Sequence, residues 1–499
     1  MAEVVGLDFG TTNSLVAFVL GDRATSLTDK ANGDIPHPSV VWYHGSEVVV
    51  GRRAKAQLSE PTTGIVGEVV RSPKAYLGRG ESLIVGGVSR EPSDVVAEMF
   101  RYLREDAAQQ GHDFDRAVVT IPVTLDGRGR RELRDAALKA GVRIVQFVHE
   151  PLAALYAYLR DQESFGRALA QLNDKLALVF DWGGGTLDLT LCRLSGATLS
   201  QVANLGDRNI GGDRFDELLR NHVVKRHNEM HGLRVADVEP GADRTLIQRC
   251  EQTKIDLSRE SSSTVFVANY LRSDGPERTL EVQVTRDGLE SLTRELVDEG
   301  IGTIRELLER VGRPPEAIEL CLATGGMLEM PRIRERLDEI FGIARVPRLE
   351  HRDRIIAEGA AWIAHDHARL SLAKPLELLH ADDSWVPVVP AHTTLPLENE
   401  SLRHDLGMYC VDPRDGYAKF HFARPEWPNR TQLSDPRLPY ATMLIGVDAT
   451  AMPLRERLEV EVTIDQDLVA VISTRSALFD DQQKVEIHDL EFGLRVGGG

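Results

Sequence analysis

The chain has 499 residues, of which 42% are apolar and 27% charged, a composition typical of a folded protein with several domains. Its net charge of −18 disfavours binding to nucleic acid, and no apolar run is long enough to span a membrane. Its 4 scattered cysteines form no C-x-x-C pair and its start resembles no secretory signal, so we expect a cytoplasmic protein without zinc or disulfides.

The first predicted element is a strand, a tight turn and a second strand over residues 3–20. Asp8 lies inside the first apolar run. The turn after it contains Gly10, Thr11, Thr12 and Asn13. Backbone N–H groups in such a turn bind phosphate, and a carboxylate beside a phosphate needs a divalent cation between them. The stretch therefore predicts a phosphate turn with Mg²⁺.

Helical and strand patterns alternate through the next part of the chain. Apolar spacing predicts helices over residues 94–110, 127–140, 151–159, 213–230, 242–257, 286–310 and 331–341. Short apolar runs predict strands over residues 117–121, 144–148 and 318–323. Such alternation indicates an α/β fold.

The segment "KLALVFDWGGGTLDLTLCRL", residues 175–194, repeats the logic of the opening. An apolar strand carries Asp181, a triple-glycine turn follows, and the next strand carries Asp188. The repeat predicts two related α/β halves, each with one phosphate turn. Together with Asp8, these carboxylates predict Mg²⁺ held through water. Each turn leads into a strand and no Walker motif is present, so the pattern is not that of a P-loop.

The character of the sequence changes near residue 372. Long helical periods disappear, and short alternating apolar runs such as 385–389 and 458–464 take over between Pro, Asp and Asn residues. This pattern predicts a small antiparallel β domain after the α/β region.

The motifs together resemble the actin-like ATPase superfamily and, within it, the DnaK-type chaperones of the heat shock protein 70 family. The resemblance covers residues 3–371 well and the remainder more weakly. It is carried by "LDFGTTNS" from Leu7, "SPKAYLG" from Ser72, "HEPLAALYAYL" from His149, "FDWGGGTLD" from Phe180, "GDRNIGGDRFD" from Gly206, "CEQTKIDLS" from Cys250, "LATGGMLEMPRI" from Leu322 and "DRIIAEGAAWIA" from Asp353.

The resemblance implies ATP and ADP as ligands, Mg²⁺ as cofactor and K⁺ as a further candidate ion. The implied catalytic residues are Asp8, Lys74, Glu150, Asp181 and Thr186, with Asp8, Asp181 and Asp188 around the metal. The implied nucleotide-binding residues are Gly10, Thr11, Thr12, Asn13, Gly183, Gly184, Gly185, Gly211, Gly212, Glu251, Lys254, Ser258, Gly325, Gly326, Met327 and Asp353.

Two departures from the family pattern bear on function. Glu329 stands where the family places an arginine that packs on adenine, so the sequence predicts a weaker adenine site that Glu329→Arg would strengthen. Arg352 or Arg354 are candidates to substitute for that arginine. The interdomain linker, residues 369–374, is basic where the family's is acidic, which predicts weak coupling between nucleotide and client.

The resulting expectation is an actin-like, two-lobed ATPase domain at 1–371, followed at 372–499 by a β-sandwich without a helical lid. The implied function is an ATP-hydrolysing chaperone that binds and releases polypeptide, with a J-domain co-chaperone and an exchange factor as possible partners. Two readings of the β domain stay open, a peptide groove or a module for one dedicated partner. The alternative functions are a filament or scaffold ATPase and a sugar kinase.

Overall fold

The computed structural model describes residues 4–30, 35–58, 64–207, 210–233, 237–350, 352–426, 432, 434–479 and 481–496. Its strands are, in chain order, β1 Val4–Phe9, β2 Asn13–Leu20, β3 Arg23–Leu27, β4 His37–Pro38, β5 Val40–His44, β6 Glu47–Val50, β7 Gly64–Val66, β8 Val69–Arg71, β9 Leu83–Val85, β10 Val88–Arg90, β11 Arg116–Ile121, β12 Arg143–His149, β13 Leu176–Trp182, β14 Leu187–Ser195, β15 Thr198–Asp207, β16 Ser262–Val267, β17 Leu280–Thr285, β18 Ile318–Thr324, β19 Leu370–Leu372, β20 Leu376–Leu379, β21 Trp385–Val389, β22 Leu402–Tyr409, β23 Tyr417–Pro425, β24 Arg437–Gly446, β25 Arg457–Ile464, β26 Ala470–Ser476, β27 Gln482–Ile487 and β28 Phe492–Arg495.

The α-helices are α1 Arg52–Lys55, α2 Pro92–Gln109, α3 Gly127–Lys139, α4 Glu150–Arg160, α5 Phe165–Leu172, α6 Gly212–His231, α7 Ala242–Leu257, α8 Arg286–Arg310, α9 Pro331–Phe341 and α10 Ile355–His365. Short 3₁₀ helices include Pro73–Tyr76 and Gly326–Glu329. The predicted helices are confirmed, with small shifts at their ends. Among the described helices, none is long and apolar enough to cross a membrane.

The first lobe, lobe I, is built on a 6-stranded sheet in the order β12-β11-β1-β2-β3, with β4 beside β2. β1, β11 and β12 are parallel, so helical crossovers must connect them, and α2 and α3 fill these connections. α10 crosses α4 closely, because Gly359 has no side chain and a Cβ there would lie 1.9 Å from the carbonyl oxygen of Ala153.

The second lobe, lobe II, repeats this arrangement in a 6-stranded sheet ordered β18-β13-β14-β15-β28-β19. In both lobes the hairpin strand that carries the aspartate has a parallel neighbour. Asp8 faces Thr120 in lobe I, and Asp181 faces Thr324 in lobe II. The two related halves predicted from the repeat are confirmed down to this register.

Smaller sheets flank the two lobes. A 4-stranded sheet, β6-β5-β8-β7, and the hairpin β9–β10 belong to the chain between β4 and α2. The hairpin β16–β17 lies between α7 and α8. These sheets place Arg71 and the loop that carries Lys74 beside the main cleft.

The β domain consists of two antiparallel 4-stranded sheets, β21-β20-β23-β24 and β22-β25-β26-β27. Buried side chains, most of them apolar, alternate with more exposed ones along β25 and β26, the pattern of strands with one face in a core. The antiparallel sandwich predicted after residue 372 is therefore present.

One end of the β domain contacts lobe I through α3. The Arg134 guanidinium bonds the Asp467 carboxylate at 2.5 Å, and Arg130 donates to the carbonyl oxygens of Asp467, Leu468 and His488. Both arginines are buried, so these charge-assisted bonds are shielded from water. α3 thus holds the turn between β25 and β26.

The chain after β27 returns to lobe II. β28 pairs with β15 on one side and with β19 on the other, so it adds a strand to the lobe II sheet. The division at residue 372 stays a prediction, with the adjustment that residues 492–495 extend the lobe II sheet rather than the sandwich. Residues 497–499, the glycines after which we expected no lid, lie outside the described residues.

Candidate active site

The two phosphate turns predicted from the sequence face each other. The turn between β1 and β2 follows Asp8, and the turn between β13 and β14 follows Asp181. A Cβ on Gly184 would lie 2.9 Å from the side chain of Thr12, so the turns touch without room for a larger residue. The two lobes therefore present their glycine turns to one cleft.

Asp8 lies at the lobe I side of this cleft. Its Oδ1 accepts a hydrogen bond of 2.6 Å from the Thr120 hydroxyl. Burial, and secondly the neighbouring Glu150 carboxylate, raise the pKa of Asp8 to about 6, although Lys74 opposes the rise. The carboxyl is thus close to taking up a proton near neutral pH.

Lys74 is delivered by the 3₁₀ helix Pro73–Tyr76, which begins after Ser72 in a left-handed conformation. Its ammonium group is buried, donates to the Phe9 carbonyl oxygen and lies 2.6 Å from Oε1 of Glu150. Glu150 is the first residue of α4. The lysine therefore joins the first phosphate turn to the start of α4.

Asp181 lies at the lobe II side of the cleft and has more neighbouring carboxylates than Asp8 has. Burial, then Asp188 on the paired strand, then Glu150 raise its pKa to about 7. The Thr186 hydroxyl donates to Oδ2 of Asp188 at 2.9 Å. A Cβ on Gly325 would lie 2.7 Å from Oδ1 of Asp181, so only glycine fits there.

These carboxylates fit a hydrated divalent cation. Asp8, Glu150, Asp181 and Asp188 share one cleft, and the neighbouring carboxylates help to raise the pKa of Asp8 and of Asp181, a repulsion that a cation between them relieves. Among the described residues, no group of three or more His, Cys, Asp or Glu side chains is close enough to ligate a metal directly. Mg²⁺ keeps several waters in most sites, so the carboxylates present are suitable for binding it through water.

A second glycine loop closes against the lobe II turn. Gly211 and Gly212 lie where a Cβ would clash with Gly184 and Gly185 or with Met327. Lys254 of α7 donates to the Gly212 carbonyl oxygen and to the Asp216 carboxylate, both at the start of α6. The loop is thereby fixed beside the phosphate turn.

Two ion pairs cross the cleft from lobe I to lobe II. Lys55 lies 2.7 Å from Glu251, and Arg71 lies 2.7 Å from Asp213. Burial raises the pKa of Glu251, but Lys55 and then Lys254 overcome this and lower it to about 2. Sequence reasoning missed Lys55, Arg71 and Asp213, and it also missed Thr120, because their partners lie far away in the chain.

The end of the cleft that was predicted to hold adenine differs from the expectation in the surroundings of Glu329. Arg352 is buried and donates to the Glu329 carboxylate at 3.1 Å, and Arg334 lies 3.4 Å from the same carboxylate. A cavity of about 410 Å³ lies beside them. It is lined by Ser258, Arg259, Glu329, Pro331, Arg334, Glu335, Asp338 and Arg348. Glu329 is therefore neutralised rather than an isolated acid.

The structure brings together most of the predicted site residues. The turns, the second glycine loop, Lys74, Glu150 and Lys254 meet at the cleft, and Ser258 borders the cavity near Glu329. Asp353 is the exception, since it is exposed and its carboxylate lies 4.0 Å from the Arg354 guanidinium rather than in the cleft. The roles assigned to these residues stay predictions.

The fold and the paired carboxylate turns define a two-lobed protein of the actin-like class with an attached β-sandwich. Comparison with known proteins identifies the family. The model of the Hsp70 protein family matches residues 4–379. The chain therefore belongs to the Hsp70 family, which confirms the resemblance noted from the motifs.

Curated relatives give the same result. The chain is 28% identical over 420 residues to the chaperone protein DnaK of Thermotoga neapolitana, covering 80% of this chain and 67% of the relative. It is 27% identical over 413 residues to the chaperone protein DnaK of Thermosipho melanesiensis, with the same coverage. The members of this family are ATPases that use ATP, ADP and Mg²⁺, so membership supports the assignment of this chain as a chaperone of the Hsp70 type.

Proposed function

We propose that this protein hydrolyses ATP and uses the nucleotide state to bind and release polypeptide segments. The observation that carries the proposal is the Lys74–Glu150 pair at the phosphate turns, in which the lysine is buried and the carboxylate interacts electrostatically with both Asp8 and Asp181. A lysine fixed at a phosphate turn and a carboxylate beside it are the parts that phosphoryl transfer to water requires.

In this proposal each group of residues at the cleft has a separate role in ATP hydrolysis. Backbone N–H groups of the two turns bind the phosphates, and Lys74 stabilises the charge that develops on the transferring group. Glu150, held by Lys74, orients the attacking water, while Asp8, Asp181 and Asp188 hold the hydrated cation. Mg²⁺ bound there would neutralise phosphate charge.

The β domain offers a surface for an apolar client at the end away from α3. Large apolar side chains that are each more than half exposed lie at the end of β22 and in the loops at this end: Tyr409, Val411, Met452, Leu454, Leu478 and Phe479. The loops are tied together, since Cys410 accepts from the Leu454 amide and donates its own amide to Glu456. Exposed apolar patches of this kind mark protein interaction sites.

ATP turnover with and without an unfolded peptide tests the proposal. We expect slow basal hydrolysis that the peptide changes, and we expect Leu454→Ser to weaken peptide binding without altering basal hydrolysis. Leu138→Ser, at another exposed leucine remote from the loops, is the matched control. Absence of hydrolysis in the wild type would refute the ATPase part, and hydrolysis without peptide binding would favour the dedicated-partner reading of the β domain.

The partners are part of the same proposal. A J-domain co-chaperone would accelerate hydrolysis, and an exchange factor would accelerate ADP release. Family membership supports both as classes of partner. Titrating each class against steady-state turnover measures the two effects separately.

A further inference from the structure

β28 is a strand that joins three parts of the molecule. Its residues Leu494 and Arg495 pair with the lobe II strand β15, and its opposite edge pairs with β19 in the interdomain linker. Gly493 makes the approach to β15 possible, because a Cβ there would lie 2.7 Å from the Leu199 carbonyl oxygen. The position of the strand is therefore closely set by its neighbours.

The aromatic ring of β28 reaches the other lobe. Phe492 is buried and stacks on His149, the last residue of β12 in lobe I, with ring centroids 4.1 Å apart and planes at 17°. The Arg130 guanidinium, which holds the β domain, lies 5.9 Å from the centroid of the same Phe492 ring. Phe492 thus lies where lobe I, lobe II and the β domain meet.

His149 is fixed on more than one side. Its Nδ1 accepts a bond of 2.6 Å from the Gln201 amide of β15. Burial, and secondly Arg130, lower the pKa of His149 to about 3, so the ring is neutral and suited to flat stacking on an aromatic face. Phe492 and Gln201 together determine where this ring lies.

The residue after His149 is Glu150. His149 is the N-cap of α4 and Glu150 is its first residue, so the backbone at this junction sets where the Glu150 carboxylate starts. That carboxylate is the partner of Lys74 at 2.6 Å. A small rotation of the junction would move the carboxylate relative to the lysine and the phosphate turns.

We propose that Phe492 is a positioning residue for ATP hydrolysis, acting through the stacked His149 ring on the Glu150 carboxylate. The inference rests on the proposed ATPase function. It makes β28 a link between the docked β domain and the chemistry, because movement of the sandwich that withdraws β28 also withdraws the Phe492 ring. Misplacement of a catalytic group by about 1 Å can slow an enzyme by about 10²-fold.

The test compares variants of the full chain by single-turnover hydrolysis and by nucleotide affinity. Phe492→Leu keeps an apolar side chain but removes the flat ring, and we expect about three- to tenfold slower hydrolysis with ATP affinity within about twofold. Phe492→Tyr keeps a flat aromatic ring and should retain most of the wild-type rate. Leu494→Val, a similar loss of volume at a buried position of the same strand, is the control and should hydrolyse ATP at the wild-type rate.

The outcomes separate the possibilities. Wild-type hydrolysis by Phe492→Leu, or equal losses in Phe492→Leu and Leu494→Val, would overturn the positioning role while leaving the ATPase function intact. A wild type without hydrolysis would instead overturn the proposed function itself. If Phe492→Leu fails to fold, Phe492→Met, whose long unbranched side chain adapts to irregular space but has no flat face, carries the same expectation.

Discussion

The two lobes share one arrangement but differ in the charge around it. Each has an aspartate on a hairpin strand that faces a threonine on a parallel neighbour, Asp8 with Thr120 and Asp181 with Thr324. In lobe I the buried Lys74 opposes the rise in the carboxyl pKa, whereas in lobe II Asp188 adds to it. The duplicated motif has therefore become two different turns. In lobe I the Asp8 carboxylate is partly neutralised by Lys74, whereas the lobe II turn, with Asp181 and Asp188, is an acidic turn.

The lobes also differ at their borders. Lobe I contacts the β domain through arginines of α3, and lobe II receives two additional strands, β28 and β19. The comparison teaches that a repeated fold supplies the phosphate turns, while the surroundings of each copy decide its chemistry and its attachments. The following predictions test that difference.

Removal of the Lys74 ammonium group from the lobe I turn should have the largest effect. We expect Lys74→Ala to slow single-turnover hydrolysis by about 10² or more, the scale for losing a charge clamp, with nucleotide affinity within a few-fold. Lys175→Ala, at an exposed lysine paired with Glu319, is the control and should leave the rate unchanged. A wild-type rate in Lys74→Ala would show that the two turns do not differ in this way.

The extended border of lobe II should limit how much the nucleotide state changes the release of a bound peptide, which we expect to be fast in both states. β19 is held by β28 on one side and by a bridge from Ser371 to Thr394 on the other, so the linker is fixed along both edges. We expect the off-rates of a labelled peptide in the ATP and ADP states to differ by less than about tenfold, a coupling below roughly 1.4 kcal/mol. Stopped-flow release in each state measures this ratio.

Gly493→Ala should increase that ratio, because its methyl group would clash with the Leu199 carbonyl oxygen and displace β28. Gly302→Ala is the matched control, since a Cβ at residue 302 meets nothing within 4 Å. A large ATP-driven acceleration already present in the wild type would contradict the fixed linker.

The acidic turn should reduce stability as the pH rises. Folding raises the pKa of Asp181 to about 7 and that of Asp8 to about 6, so each stabilises the folded state at low pH and loses this contribution as the pH rises through that value. We expect nucleotide-free Asp181→Asn to melt higher than wild type at pH 7.5 by roughly 2 °C or more, with a smaller gain at pH 5.

Asp8→Asn supplies the comparison for that experiment. Its gain should be smaller, because Lys74 already compensates the Asp8 carboxylate. Thermal unfolding at both pH values measures all the variants. A larger gain for Asp8→Asn than for Asp181→Asn would reverse the assignment of the acidic turn.

A substitution at Glu329, in the segment that follows Thr324, should have the smallest effect of these changes. After Thr324 the lobe II chain reaches Glu329, which is bound by Arg352 and Arg334. The structure therefore reverses the expectation that Glu329→Arg strengthens ATP binding, because a third guanidinium would face the other two. We expect about two- to fivefold weaker binding by calorimetry, the scale of partly exposed ion pairs, and near wild-type affinity for Glu329→Gln. Tighter binding by Glu329→Arg would restore the stacking expectation.

Local sequence signals predicted much of the fold. The apolar spacing of residues 286–310 and 331–341 located α8 and α9 with the correct ends, because helix periodicity and capping are encoded within a few residues. The repeat around Asp8 and Asp181 predicted both hairpins for the same reason. The change of pattern near residue 372 correctly indicated antiparallel β structure, whereas the division between domains at that residue stays a prediction.

Other features depend on partners that are distant in the chain. "EFGLR" at 491–495 contains nothing that identifies β15 as its neighbour, so the extension of the lobe II sheet could not be predicted. The ion pair between Lys55 and Glu251 likewise has no local signature. The resemblance predicted which residues line the cleft, but whether Glu329 is isolated or paired depended on how Arg352 packs.

The order in which the chain is synthesised gives β28 a consequence for folding. β15 is made before the whole β domain, and its edge at Thr198 and Leu199 receives its pairing strand only after that domain has been translated. An unpaired strand edge can pair with other chains, and pairing across such a long separation forms slowly. A newly made lobe II would therefore expose this edge until residues 492–495 emerge, which makes synthesis and refolding the stages at which aggregation is most expected.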